Sequence, residues 1–161
     1  MFKLRQFFIS TTLAATLLSG PAFGDLAFGT SRDTSDLPVQ VEADELSVDQ
    51  KDGTATFTGN VKISQGEMLL NAGKVHVVYS EDKKKILRLL ADGGVTLVSG
   101  QDAAEAAQAD YDIDAATVVL TGNVLVTQGQ NVISGERVVI DLDAGTAQVG
   151  GRVRTTLETK E

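Results

Sequence analysis

Between Pro38 and Leu157 apolar and polar residues take turns. The stretches VKISQ, KVHVV, VTLVS, VLVTQ and RVVID alternate at a period of two, the spacing of strands that bury one face and wet the other. The pattern predicts one all-β domain over residues 38–157. Residues 101–109, QDAAEAAQA, depart from it. Their composition favours a helix, yet only alanines stand where an amphipathic helix needs large apolar side chains. An extended loop, a short irregular turn and a single helical turn all remain open there.

The alternation is also written twice. TGNVKISQG at 58–66 returns as TGNVLVTQG at 121–129, and the Gly-x-Val element inside it occurs four times, from Gly59, Gly93, Gly122 and Gly151. Four copies at a period near 30 residues indicate stacked units. A second element lies between them: ADELSVD, AGKVHVVY, ADYDID and GERVVID, followed by the turn signals QKDGT, EDKKK, DAAT and DAGT. Alternation continues across the glycines, as in TATFTGNVKIS. Glycine is therefore expected to supply the bulge or positive φ with which a strand bends from one sheet into the other. Strands that bend in this way wrap rather than lie flat. The expected product is a twisted antiparallel β-jellyroll, or semi-open barrel, of stacked V-shaped repeat units.

Superposing the copies on Gly59 and Gly122 sets the phase of the side chains. Phe57 falls on Leu120, Val61 on Val124, Ile63 on Val126, Val75 on Val138 and Val77 on Ile140. This face is apolar in both copies, whereas Thr56 and Lys62 on the other face are replaced by Val119 and Leu125, so the first face is the interior. The same register adds Leu87, Leu89, Val95 and Leu97, then Tyr111 and Ile113, then Val149 and Val153. An array that does not close leaves open strand edges, around Val39, Val41, Leu46 and Val48 at one end and around Val149, Val153 and Leu157 at the other. Open edges recruit strands, and two unlike edges join head to tail.

The first residues change the picture. Lys3 and Arg5 precede an apolar run at 7–18, and the small residues Ala22 and Gly24 stand before Asp25. That is the order of a cleavable export signal, and the run falls short of the roughly 20 residues of a membrane span. Residues 1–24 are expected to be a signal peptide, 25–37 a flexible lead-in and 158–161 a tail. Removing Lys3 and Arg5 from the 14 basic residues leaves 12 against 22 acidic ones, a net charge of −10. Nucleic acid is excluded as a partner by that balance. Lys83, Lys84 and Lys85 read as a solvated turn that guards a strand edge.

Candidate chemistry is sparse. The chain has no cysteine, which removes lipidation at cysteine, disulfides and thiolate metal sites. His76 is the single histidine and alternates with Val75 and Val77, which puts it on the outer face, away from any nucleophile–base arrangement. Asp112, Asp114, Asp141 and Asp143 precede turns. Asp-x-Asp turns can hold calcium, but solvent-facing positions leading into a turn account for them without a metal. The reading is of a protein that is not an enzyme and uses no cofactor or metal. The apolar interior remains as the working surface, either a plain core or, with few aromatic plugs available, a ligand groove.

Val41-Glu42-Ala43-Asp44, Thr58-Gly59-Asn60-Val61 with Gln65-Gly66, Ala109-Asp110-Tyr111, and Thr121-Gly122-Asn123-Val124 with Gln128-Gly129 together resemble the repeats of the OstA-like family over most of residues 38–157. The resemblance implies a periplasmic, lipopolysaccharide-binding bridge protein. Lipid A acyl chains would lie in the apolar groove, and like-folded domains of inner-membrane-anchored and outer-membrane transport proteins would stack on its two ends, with further copies between. Two other readings stay open: the membrane-anchored partner of the same pathway, and a secreted, self-assembling structural β-module without a lipid ligand.

Overall fold

The computed structural model of the chain describes residues 26–28, 37–82 and 84–157. The expected signal peptide, most of the lead-in, Lys83 and the tail lie outside the described residues. The strands are β1 (Leu26–Ala27), β2 (Gln40–Glu42), β3 (Glu45–Asp49), β4 (Thr54–Gln65), β5 (Met68–Tyr79), β6 (Ile86–Asp92) and β7 (Val95–Ser99). They continue with β8 (Asp102–Ala106), β9 (Gln108–Asp112), β10 (Thr117–Gln128), β11 (Asn131–Asp141), β12 (Thr146–Gly150) and β13 (Arg154–Thr156).

Every pairing is antiparallel, and the ladder divides into two layers. One layer runs β3, β4, β5, β6, β9, β10, β11, β12, β1. The other runs β2, β4, β5, β7, β8, β10, β11, β13. The long strands β4, β5, β10 and β11 serve both layers, each bending midway. This is the twisted antiparallel β-jellyroll that the repeats predict.

The bends fall at the Gly-x-Val elements. Gly59 and Asn60, Gly93 and Gly94, Gly122 and Asn123, and Gly151 and Arg152 are all pairs of consecutive residues with positive φ. In β4 and β10 the register shifts at this point, between Thr58 and Val61 and between Thr121 and Val124. The opposing chain closes the corner through equivalent backbone bonds: the Asp44, Ala107 and Glu136 amides donate to the carbonyls of Gly59, Gly122 and Gly151 at 2.9, 3.0 and 3.1 Å. β4 keeps its inward phase across the corner, with Ala55, Val61 and Ile63 all buried. On β5 the phase switches instead, from Met68, Leu70 and Ala72 to Val75 and Val77. The change of phase falls at Gly73, the single residue that β5 sets against Gly59 and Asn60 of β4.

Within 101–109, residues 102–106 and 108–109 are strand rather than loop or helical turn. They form all of β8 and the start of β9, with Ala104 and Ala109 buried in the core. The corner beside them is tight: a Cβ on Gly122 would lie 2.8 Å from that of Ala107. The acidic turn residues have local work. Asp49, Asp112 and Asp141 accept hydrogen bonds from the Lys51, Ala115 and Ala144 amides, the self-capping that favours Asp in turns. Asp114 pairs with Lys85 at 3.1 Å.

Candidate functional site

Cross-strand neighbours line the interior in rows. One row runs Leu46, Phe57, Val75, Ala91, Ala109, Leu120, Val138, Val149, and the next runs Val48, Ala55, Val77, Leu89, Tyr111, Val118, Ile140, Ala147. In the other layer Val41, Ile63, Leu70, Leu97, Ala104, Val126 and Ile133 form a third. The two layers close on each other. Among the residues expected to line the interior, Val61, Ile63, Val75, Val77, Leu89, Val95, Leu97, Tyr111, Leu120, Val124, Val126, Val138 and Ile140 are all buried in one continuous core. Phe57, Ile113 and Val149 are half-buried against it. Val153, expected inside, is 49% exposed beyond the last corner.

Residues outside the expected set complete the filling: Met68, Leu70, Val118, Ile133 and Phe28. Val118 shares the phase of Leu120 and was legible on that ground. Met68 and Leu70 sit behind the phase switch at Gly73, and Phe28 lies in the lead-in. A polar group is buried with them. The Tyr111 hydroxyl donates to Gln65 Oε1 at 2.5 Å, and Gln65 Nε2 donates to the Leu37 carbonyl at 3.0 Å. Burial, and after it the charges of Asp143 and Asp112, push the Tyr111 phenol up to about 12.

The rows do not end alike. At the β2–β3 end they emerge into solvent, where Leu46 and Val48 are 55% and 61% exposed although their register faces inward. Together with Ala55 and Tyr79 they line an open cavity of about 480 Å³, rimmed by Asp49, Gln50, Gly53 and Thr54. Val39 and Val41 of the same end are half-buried against the core. At the opposite end β1 pairs with β12, and Phe28 is 2% exposed. This part of the lead-in is a strand, not a free arm, and it covers part of the edge expected to be open. β13 pairs with β11 alone among the described residues, and Leu157 beyond it is exposed.

His76 is half-buried on the outer surface, with Nδ1 3.1 Å from the Thr56 hydroxyl. No group of three His, Asp or Glu side chains is placed to hold a metal ion among the described residues. No helix there is long and apolar enough to cross a membrane.

Residues 40–146 match the family model described as LptA/(LptD N-terminal domain) LPS transport protein. The lipopolysaccharide export system protein LptA of Escherichia coli K12 is 34% identical over 131 residues, 75% of this chain. This chain spans 66% of that relative's length. An uncharacterized protein of Rhizobium meliloti is 29% identical over 132 residues, covering 76% of this chain and 71% of its own length. In structure the chain is similar to LptH, the LptA homologous periplasmic component of the lipopolysaccharide transport device of Pseudomonas aeruginosa. The TM-score is 0.71 at 20% identity, over 80% of this chain and all of that one.

Proposed function

From the premise that this chain belongs to the LptA/LptD N-terminal domain family of lipopolysaccharide transport proteins, we propose that it is a periplasmic, non-catalytic bridge component. It would receive the acyl chains of an envelope glycolipid and join like-folded domains at its two ends. The observation that carries this reading is the continuity of the inward rows from the filled core to Leu46 and Val48 in the open mouth. An acyl chain entering there meets Phe57 and Tyr79 before the buried side chains, and passes deeper as the two layers part. Burying each methylene contributes about 0.8 kcal/mol, so a dozen carbons gain on the order of 10 kcal/mol before ordering costs. Repulsion between lipid phosphates and the acidic surface is screened over about 8 Å at physiological salt and acts on a head group left outside.

The test is photo-crosslinking in cells with a benzophenone residue at Val48, Phe57 or Ile63, compared with the outward Lys62. Lipopolysaccharide adducts are expected at the first three and not at Lys62. Equal yields at Lys62 and Val48, or none at any position, would sink the reading. One observation favours the lipid-free structural module: the interior is filled by its own side chains. Native mass spectrometry of gently purified protein separates the two, since the module would carry no glycolipid mass.

A further inference from the structure

The strand β1 runs antiparallel to β12, with Leu26 opposite Ala147 and Ala27 opposite Thr146. The Phe28 amide donates to the Gly145 carbonyl at 2.7 Å, and Gln128 Nε2 donates to the Ala27 carbonyl. Three kinds of contact therefore hold a two-residue strand: ladder bonds, a side-chain clasp and one buried aromatic ring.

The position of β1 coincides with where a following copy would sit. Antiparallel order alternates through the layer, so a second molecule's β3 added to β12 runs in the direction that β1 already has. The inward rows set the register: Leu46 of the incoming strand continues the row ending at Val149, and its Val48 continues the row ending at Ala147. Leu26 stands opposite Ala147 now. The remainder of β12, Gln148 to Gly150, pairs with β11 only, among the described residues. Among the described residues β3 pairs with β4 only and leaves Leu46 and Val48 exposed, while the receiving end is occupied by the chain's own strand.

We propose that β1 is an intramolecular stand-in for the β3 of a second copy of this chain, holding the β12 edge until that copy displaces it. The proposal rests on the head-to-tail stacking argued above and adds a control on it. A competent edge populated for only a fraction of the time weakens the apparent association by that fraction. A strand in place about nine-tenths of the time costs about tenfold.

The absence of cysteine makes a reversible lock possible. Phe28 and Gly145 form the hydrogen-bonded pair, so Ala27 and Thr146 are the closer, non-hydrogen-bonded pair, with Cα atoms about 4.5 Å apart and within disulfide reach. The full chain carrying Ala27→Cys and Thr146→Cys is followed by sedimentation velocity, oxidised and reduced, beside the wild type and Phe28→Asp. The oxidised protein is expected to stay monomeric where the wild type forms chains, and reduction to restore them. Phe28→Asp is expected to associate at about tenfold lower concentration. Should Phe28→Asp unfold, the oxidised and reduced forms of the double variant decide alone. An oxidised form that assembles as readily as the wild type overturns the stand-in and leaves stacking intact. Monomers in every case, Phe28→Asp included, overturn stacking and the stand-in with it.

Discussion

Gln65 and Gln128 hold the same place in the two copies of the repeated phrase, and both do the same job on different partners. Each amide donates to a backbone carbonyl of the N-terminal segment, at Leu37 and Ala27 respectively. The pairing explains why a polar residue recurs at an inward position: it fastens incoming chain to the rim of the core. Gln65 also accepts from Tyr111, so Tyr111→Phe takes a buried donor from it and is expected to cost about 1–2 kcal/mol in denaturant unfolding. The phenol gives a pH signature as well. Its folded value is raised to about 12 from the ordinary 10.0. As pH rises above 10 the unfolded chain loses this proton first, so the stabilisation is complete below pH 10 and is lost between 10 and 12. Denaturation series across that window should show the decline in the wild type, and a shallower one in Tyr111→Phe.

The bends of the long strands were legible because glycine stood where alternation had no reason to stop. Which glycines tolerate change was not legible, since it depends on what faces them. Gly94 has φ of 85° and nothing within 4 Å of a built Cβ, whereas Gly122, at 87°, would press on Ala107. Gly94→Ala should lose about 1 kcal/mol from the left-handed backbone alone, and Gly122→Ala roughly 2–3 kcal/mol from backbone and clash together. Adding Ala107→Gly to Gly122→Ala should recover part of the difference in thermal melts; no recovery would show that contact to be slack. The phase switch on β5 stayed hidden for a related reason. Lys74 extends an alternating stretch, KVHVV, and only the opposing corner, which sets Gly59 and Asn60 against Gly73, reveals the change of phase. The alanines of β8 and β9 misled in the same way, since Ala104 and Ala109 are core residues whose small side chains carry little pattern.

At the scale of the molecule, the candidate groove was only half readable. Alternation identified the walls, from Phe57 to Ile140, but whether walls meet depends on residues brought in from far along the chain. Phe28 and the two-residue β1 carry too little pattern to announce themselves, and their pairing spans more than a hundred residues. Charge acts at this scale too. Every copy carries the same net negative charge, −8 over the full sequence, and repels its like on approach, so head-to-tail association measured by sedimentation should strengthen between about 20 and 150 mM salt as screening shortens; a weakening would point to attractive ion pairs at the joint. The two-layer path has a last consequence. The 63-residue offset between matching phrases moves the chain four strands along either layer, from β4 to β10, or about 19 Å at the usual strand spacing. Genetic duplication of that segment would lengthen the molecule by the same increment with no new kind of corner. Span across a gap then becomes a matter of copy number, and evolution could set it equally well inside one polypeptide or between several.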